Sequence, residues 1–440
     1  MGSELILIIV LALLITLIIA ETPVGFSLAI SGTLGIILLR DWSYAANTLA
    51  STPYSAIASY SYILIPMFVL MGMLVLQAGI AQDVYASASR IFRGLPGGLG
   101  VATVAACAGF AAVTGSSVAT VATIGRLSID EMRKYGYSGR FAAGIVAAGG
   151  TLGVLIPPSL ILVVYGILTG ESIGRLLIAG IIPGVLSAVL YGGVVISQVR
   201  KEITPPEELD DADLAPALSW RSASAVLKIL ILAGIVVGGI YSGYFTATES
   251  GAVAAMVALL MLLGSAIRRA DIGWTQIRQS LHETTSLSSM VFMLLLGGAL
   301  FNFFIVSGGY ARSFADWLTG FPVHPLVIVG LLLLAMIPLG MLLDGLSILL
   351  LTIPIAYPVI TDLGFDGIWF GILVVKMIEL GLITPPVGIN VYVVSGAAPG
   401  LTVEESFRGV LPFGMMDVFT TAVLFAFPVL VTWLPGLVEI

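Results

Sequence analysis

The sequence predicts an all-α polytopic membrane protein made of two related halves, each holding a re-entrant helical hairpin and a discontinuous helix. Three observations carry this. The 440 residues are 58% hydrophobic and only 10% charged, with a mean hydropathy of +1.10, outside the range of soluble domains. Apolar blocks of about 17 to 30 residues fill most of the length, and each can span a hydrocarbon core of about 30 Å. A ten-residue cassette with a double proline occurs twice, LGVLIPPSLI at 152–161 and LGLITPPVGI at 380–389.

Taken in order, the first half reads as spans at 4–20, 24–39 and 55–80, a long apolar segment at 97–125, the proline-broken helix at 141–169 and a last span at 173–198. The first block follows Glu4 with no basic region ahead of it, so it is expected to be a retained span. Segment 97–125 decides the topology. One straight helix of about 29 residues would be about 43 Å long, too long for the core, whereas two half-helices of about 20 Å meet just past the midplane. Its centre, Thr114-Gly115-Ser116-Ser117, is small and polar as a hairpin tip should be.

The second half repeats this order. The double prolines lie 228 residues apart; Gly94-Leu95-Pro96 matches Gly320-Phe321-Pro322, Gly79 falls near the counterpart of Gly308, and Thr22 and Gly25 match Thr248 and Gly251. A shared offset marks a tandem repeat, 1–200 and 221–440, joined by the acidic, proline-bearing stretch 201–220, expected to be a solvated cytoplasmic linker. The second hairpin is then 323–355, with its break near Asp344-Gly345. Stretches 80–93, 126–140, 271–285 and 356–366 read either as interfacial arm helices or as connecting loops.

The basic residues give an independent test. With 97–125 as a hairpin, Arg90, Arg93, Arg126, Arg133, Lys134, Arg140, Arg200, Lys201, Arg221, Lys228, Arg268, Arg269, Arg278 and Arg408 share one side, and only Arg40, Arg175 and Arg312 fall opposite. A crossing segment would split them. Each half therefore crosses about five times, about ten in all. An odd number inverts the second half relative to the first, and both termini face outward.

These breaks have chemical meaning. A double proline leaves carbonyls without amide partners, which lipid does not tolerate, so such backbone must line protein or a wet cavity. Paired breaks in two halves are a sign of a secondary transporter with its site at the midplane. Helix N-termini suit an anion, and carbonyl and hydroxyl oxygens suit Na⁺. The first expected Na⁺ site combines Gly115, Ser116 and Ser117 with Ile156, Pro157 and Pro158. The second combines Asp344, Gly345 and Ser347 with Thr384, Pro385 and Gly388. Ser116, Ser117, Ser159, Gly345 and Asn390 are the candidate substrate contacts. Asp344 reads as an ion ligand or as a helix cap. Lys376 and Glu379, three apart and deep in an apolar run, either pair with each other or touch ion or substrate.

Other chemistries are disfavoured. Cys107 is the single cysteine, so no intrachain disulfide or cysteine metal cluster forms. None of the four lysines follows a glycine as a phosphate-binding loop requires, and the scattered basic residues argue against nucleic acid. His282 and His324 lack a third metal ligand, and neither lies where it would activate Ser116 or Ser117 as a nucleophile. Hydrolysis is not expected.

The run GRLSIDEMRKYGYSGRFAAGIVAAGGTLGVLIPPSLILVVYG, the TGSS tip before it and the partner run IELGLITPPVGINVYVVSG resemble the large membrane (M) subunit of tripartite ATP-independent periplasmic (TRAP) transporters, over essentially the whole chain. The resemblance implies an elevator-type fold related to divalent-anion sodium symporters. In it, scaffold spans at about 1–80 and 223–306 face a mobile domain of the hairpins and broken helices at 94–169 and 320–396, with last spans at 173–198 and 409–433. It also implies residence in the bacterial inner membrane, where outward-facing termini are periplasmic, and Na⁺-driven uptake of an organic anion; the two related hairpin tips suggest at least two Na⁺ sites. Substrate would arrive from a periplasmic binding (P) protein, beside a separate four-helix small membrane (Q) subunit. A standalone symporter that needs no binding protein is the alternative. Lys376 departs from the neutral residue the family pattern suggests.

Overall fold

The computed structural model describes residues 2–204, 220–266, 273–398 and 400–437, and the described residues are almost wholly helical. Most of the expected linker, 205–219, lies outside them. The first half opens with α1 (Ser3–Ile19) and α2 (Val24–Leu39), near the expected bounds. α3 (Trp42–Ile57) has no counterpart in the sequence reading, because its polar composition gives no hydropathy signal. Its start was legible all the same: the Asp41 side chain accepts from Tyr44 N at 2.8 Å, an N-cap. A 3₁₀ turn, Tyr60–Ile63, leads into α4 (Leu64–Gln77), followed by the amphipathic α5 (Ile80–Ile91).

The long apolar segment is two helices, α6 (Gly98–Thr114) and α7 (Ser117–Lys134), packed together across a turn at Gly115-Ser116. α8 (Gly139–Leu155) and α9 (Leu160–Thr169) form the broken helix, and α10 (Ile173–Ala179) and α11 (Ile181–Glu202) the kinked last span. In the second half, α12 (Trp220–Ala233) runs through a π turn into α13 (Gly239–Tyr241), then α14 (Ala247–Ala266), α15 (Trp274–Ser307) and α16 (Tyr310–Thr319) follow. α17 (Pro325–Gly340) and α18 (Gly345–Asp362) pack as the second pair, α19 (Gly367–Ile383) and α20 (Ile389–Ala397) form the second broken helix, and α21 (Val403–Ala426) and α22 (Val429–Gly436) close the chain. Among the described residues, eight helical stretches are long and apolar enough to cross a membrane, and four shorter apolar helices accompany them.

Three of the suspected arm segments are neither separate helices nor loops. The 126–140 stretch continues α7 as far as Lys134, 356–366 continues α18 as far as Asp362, and the described part of 271–285 is the start of the 34-residue α15. At 1.5 Å per residue α15 is about 51 Å long and outruns the hydrocarbon core, so its polar first turns lie beyond it. Only 80–93 holds a helix of its own.

Small residues set the packing. A Cβ on Gly297 of α15 would fall 2.0 Å from the Gly25 carbonyl oxygen, and one on Gly32 of α2 would fall 2.7 Å from Phe301 Cα. These two helices therefore touch backbone to backbone, the close approach that lipid-embedded helices use in place of a hydrophobic drive. α4 packs on α15 and on α14. Away from that group, α8 and α19 form the centre of a second one. All 17 residues of α19 are buried, and so is α8 from Phe141 to Leu155. Helices buried on every side form the inside of a bundle.

Candidate functional site

Each break is built from local rules. α6 ends at Gly115, whose φ of +58° is left-handed, a conformation glycine adopts at little steric cost. Ser116 then caps α7, its Oγ accepting from Ala119 N at 3.3 Å. At the first broken helix, Ser159 Oγ accepts from Leu162 N at 3.3 Å and donates to the Val154 carbonyl. At the second pair, Asp344 caps α18. Its carboxylate accepts from Leu346 N at 3.1 Å and Ser347 N at 3.4 Å, and the Ser347 hydroxyl also donates to it. α20 starts after Gly388, φ +56°, with no side-chain cap. Both double prolines, Pro157-Pro158 and Pro385-Pro386, have cis peptide bonds.

A cavity of about 420 Å³ lies where these breaks converge. Ser117 to Ala119 of α7, Leu160 and Ile161 of α9, Gly345 and Leu346 of α18 and Ile389 of α20 all line it, so four helix N-termini open on one space. The opposite wall is Phe68, Val69 and Met73 of α4 with Leu287, Met290 and Val291 of α15. Among the described residues, Asp344 is the one ionisable side chain in the lining, and no basic side chain contributes to it. The positive ends of four helix dipoles and the hydroxyls of Ser116 and Ser117 are thus what the cavity offers an anion.

The expected site residues divide. Gly115, Ser116, Ser117, Pro158, Asp344 and Gly345 line the cavity. Gly115 lies against the broken helix, where an added Cβ would be 2.7 Å from the Pro158 carbonyl oxygen. Gly345 is wedged between α9 and α19, its would-be Cβ 2.5 Å from Ile161 Cδ1 and 2.8 Å from Ile378 Cγ2. Ile156 and Pro157 are not in the lining; Ile156 packs on Gly184. Ser159 and Ser347 are fully buried, with hydroxyls engaged locally.

The residues grouped with Asp344 on the second broken helix lie outside this wall. Thr384 Oγ1 donates to the Leu380 carbonyl at 2.5 Å, Pro385 is exposed, and a Cβ on Gly388 would meet Phe407 of α21 at 2.8 Å. Asn390 belongs with the first hairpin instead. Its Nδ2 donates to Ser117 Oγ at 2.6 Å and to the Ala147 carbonyl at 3.2 Å, while its buried Oδ1 has no partner. That pairing spans 273 residues and carries no sequence signal.

Lys376 and Glu379 do pair, at 2.7 Å, and both are fully buried. The sequence reading missed their neighbours. Asp417 of α21 forms an ion pair with Lys376, Ser187 of α11 accepts from it at 3.2 Å, and Tyr191 donates to Asp417 at 2.9 Å. Asp417 was within reach of the hydropathy rule, since it stands alone in the apolar run LPFGMMDVFTTAV.

Comparison with known proteins places this architecture. The family model described as "Tripartite ATP-independent periplasmic transporter, DctM component" matches residues 11–430. The C4-dicarboxylate TRAP transporter large permease protein DctM of Pseudomonas aeruginosa is 34% identical over 414 residues, 93% of this chain and 92% of that one. The sialic acid TRAP transporter large permease protein SiaM of Vibrio cholerae is 32% identical, with 96% of each chain covered. Among solved structures, the YdaH transporter of Alcanivorax borkumensis shares the fold with a TM-score of 0.64 at 15% identity, over 88% of this chain and 90% of that one. MtrF of Neisseria gonorrhoeae gives 0.63 at 11% identity, over 88% and 85%. With a family match over nearly its whole length and relatives above 30% identity along it, the chain belongs to the DctM component family of TRAP transporters, whose members are membrane permease subunits and not enzymes.

Proposed function

We propose that this chain is the translocating subunit of a secondary active importer that carries an organic acid across the bacterial inner membrane together with Na⁺. The observation that carries the reading is the convergence of four helix N-termini on one cavity with no basic side chain. Such a site holds a carboxylate by backbone amides and hydroxyls, and releases it more readily than a bidentate arginine would. Relatives named for C4-dicarboxylate, sialic acid and isethionate support an organic anion as cargo.

Na⁺ is a second cargo. The meeting of Gly115 with the Pro158 carbonyl, beside the hydroxyls of Ser116 and Ser117, fits a hard cation that takes oxygen ligands. Asp344 with Ser347 marks a second position, where the carboxylate lies at the other hairpin tip. Cations bound at both tips would add positive charge beside the anion, so each cargo strengthens the other's binding.

The cavity lies between the tips and the α4–α15 wall, which supports movement of the hairpins and broken helices as one body against that wall, an elevator. In that reading the two halves are inverted repeats, the hairpins re-enter from opposite faces and both termini are periplasmic. A small membrane subunit and a periplasmic binding protein complete the importer. The isethionate relative is named DctMQ, and this chain matches 63% of its length.

Reconstitution tests this. The chain in liposomes, with and without both partners, is assayed for uptake of labelled C4-dicarboxylates and sialic acid under an imposed Na⁺ gradient. Uptake is expected only with both partners and the gradient. Equal uptake without the gradient refutes coupling, and uptake by the chain alone identifies a standalone symporter.

A further inference from the structure

We propose that the buried Glu379–Asp417 pair is a proton-binding site, holding one proton in the folded protein at neutral pH. The site lies away from the cavity, at the crossing of α8, α11, α19 and α21. Lys376, Glu379 and Asp417 are each fully buried, out of reach of bulk solvent. The ammonium group has three protons, and all three are used, on Ser187, Glu379 and Asp417. One positive charge therefore faces two carboxyl groups. With both ionised, the cluster carries a net charge of −1 at the centre of an apolar bundle.

The hydrogen bonds show where the deficit lies. Glu379 Oε1 and Asp417 Oδ2 are both buried without a partner. An unpaired carboxylate oxygen in such surroundings is among the costliest groups to bury, and two carboxylates on one cation repel each other. A single proton removes the excess charge and turns one orphan acceptor into a donor. Asp417 is the better-served anion, because its Oδ1 also accepts from Tyr191. Glu379 is the residue that holds the proton.

Among the described residues, no cationic side chain other than Lys376 acts on Glu379. α21 contributes Asp417, α11 contributes Ser187 and Tyr191, and α8 contributes Thr151, which is 3.4 Å from the Tyr191 hydroxyl. Lys376 and Asp417 are the charged groups acting on Glu379. Thr151 and Glu379 also stand 228 positions apart, the spacing of the double prolines, so the cluster lies at equivalent depths of both broken helices. Glu379 and Asp417 are the only fully buried carboxyl residues among the described ones, which makes the site observable.

The test is infrared spectroscopy of the purified chain in detergent at pH 7. A protonated carboxyl adds a C=O stretching band that shifts down in D₂O. The band is expected in the wild type and lost in Glu379→Gln. Its absence from the wild type overturns the proposal, and so does its persistence in Glu379→Gln; should that variant fail to assemble, the wild-type spectrum in H₂O and D₂O decides alone. Glutamine mimics the protonated acid, so uptake by the complete reconstituted importer should stay within about a factor of two. Loss of uptake in a folded Glu379→Gln protein would show that the negative charge is needed. The infrared measurement requires no transport, so its outcome stands apart from that of the functional reading.

Discussion

Replacing Gly115 with alanine tests whether the first hairpin tip and the first broken helix hold a cation together. Two costs arise. A side chain at φ +58° is left-handed, worth about 1 kcal/mol in stability. The new Cβ also falls 2.7 Å from the Pro158 carbonyl oxygen, so tip and break must separate by about 0.7 Å to reach the 3.4 Å of ordinary contact. A binding constellation tolerates about 0.5 Å of displacement, less than this change imposes. Loss of about 1.4 kcal/mol of ion binding is a tenfold rise in the Na⁺ concentration for half-maximal uptake. Gly170→Ala is the control: φ there is +78°, but nothing lies within 4 Å of the added Cβ, so it carries the backbone cost without the displacement. Both variants should lose thermal stability in detergent, Gly115→Ala the more because the displacement adds to the backbone cost, and only Gly115→Ala should shift Na⁺ dependence of reconstituted uptake. Matching Na⁺ curves for the two would refute the placement.

Further outcomes follow from the same geometry. Asp344→Asn keeps an N-cap while removing the charge, whereas Asp344→Ala removes both at a cost of about 1 kcal/mol. If Asp344 binds Na⁺, both variants weaken Na⁺ dependence; if it only caps α18, the asparagine variant transports normally. Ser117→Ala leaves one Asn390 amide N–H unpaired and should also weaken Na⁺ dependence, with Asn390→Ala adding little more in a double-mutant cycle. Inversion is checked by cysteine labelling at the exposed positions Lys134 and Asp362, with the native Cys107 buried and silent; labelling from the same face contradicts it. Gly297→Ala should destabilise the protein by about 2 kcal/mol or more by forcing α2 off α15, read as a lower melting temperature.

Features that depend on chain-local physics were readable in the sequence. Proline chemistry marked both breaks, and the length of 97–125 against a bilayer, with a small polar centre, placed the Gly115 turn. Asp344 was assigned to the correct break, with capping and ion binding both open, and the structure makes it a cap. What escaped depends on distance in sequence or on weak hydropathy. α3 is too polar to register, and the continuity of α7, α15 and α18 past the membrane edge has no apolar marker. The Asn390–Ser117 pairing and the recruitment of Asp417 and Tyr191 to Lys376 are decided by how helices from both halves cross, which no single stretch encodes.

The reach of Asn390 across the two halves bears on leakage. A carrier wastes its gradient when one gate opens alone and lets an ion slip through without cargo. In the proposed motion, withdrawing the first hairpin by itself would pull Ser117 away from Asn390 and leave one N–H of the buried amide unpaired, its bond to the Ala147 carbonyl remaining, at about 1–3 kcal/mol. In that reading, solitary opening would be about 5 to 150 times rarer than concerted motion. In the proposed transport cycle the second broken helix would latch the first hairpin through the same Ser117 hydroxyl that stands beside the first cation position, so the latch and the ion would share one residue.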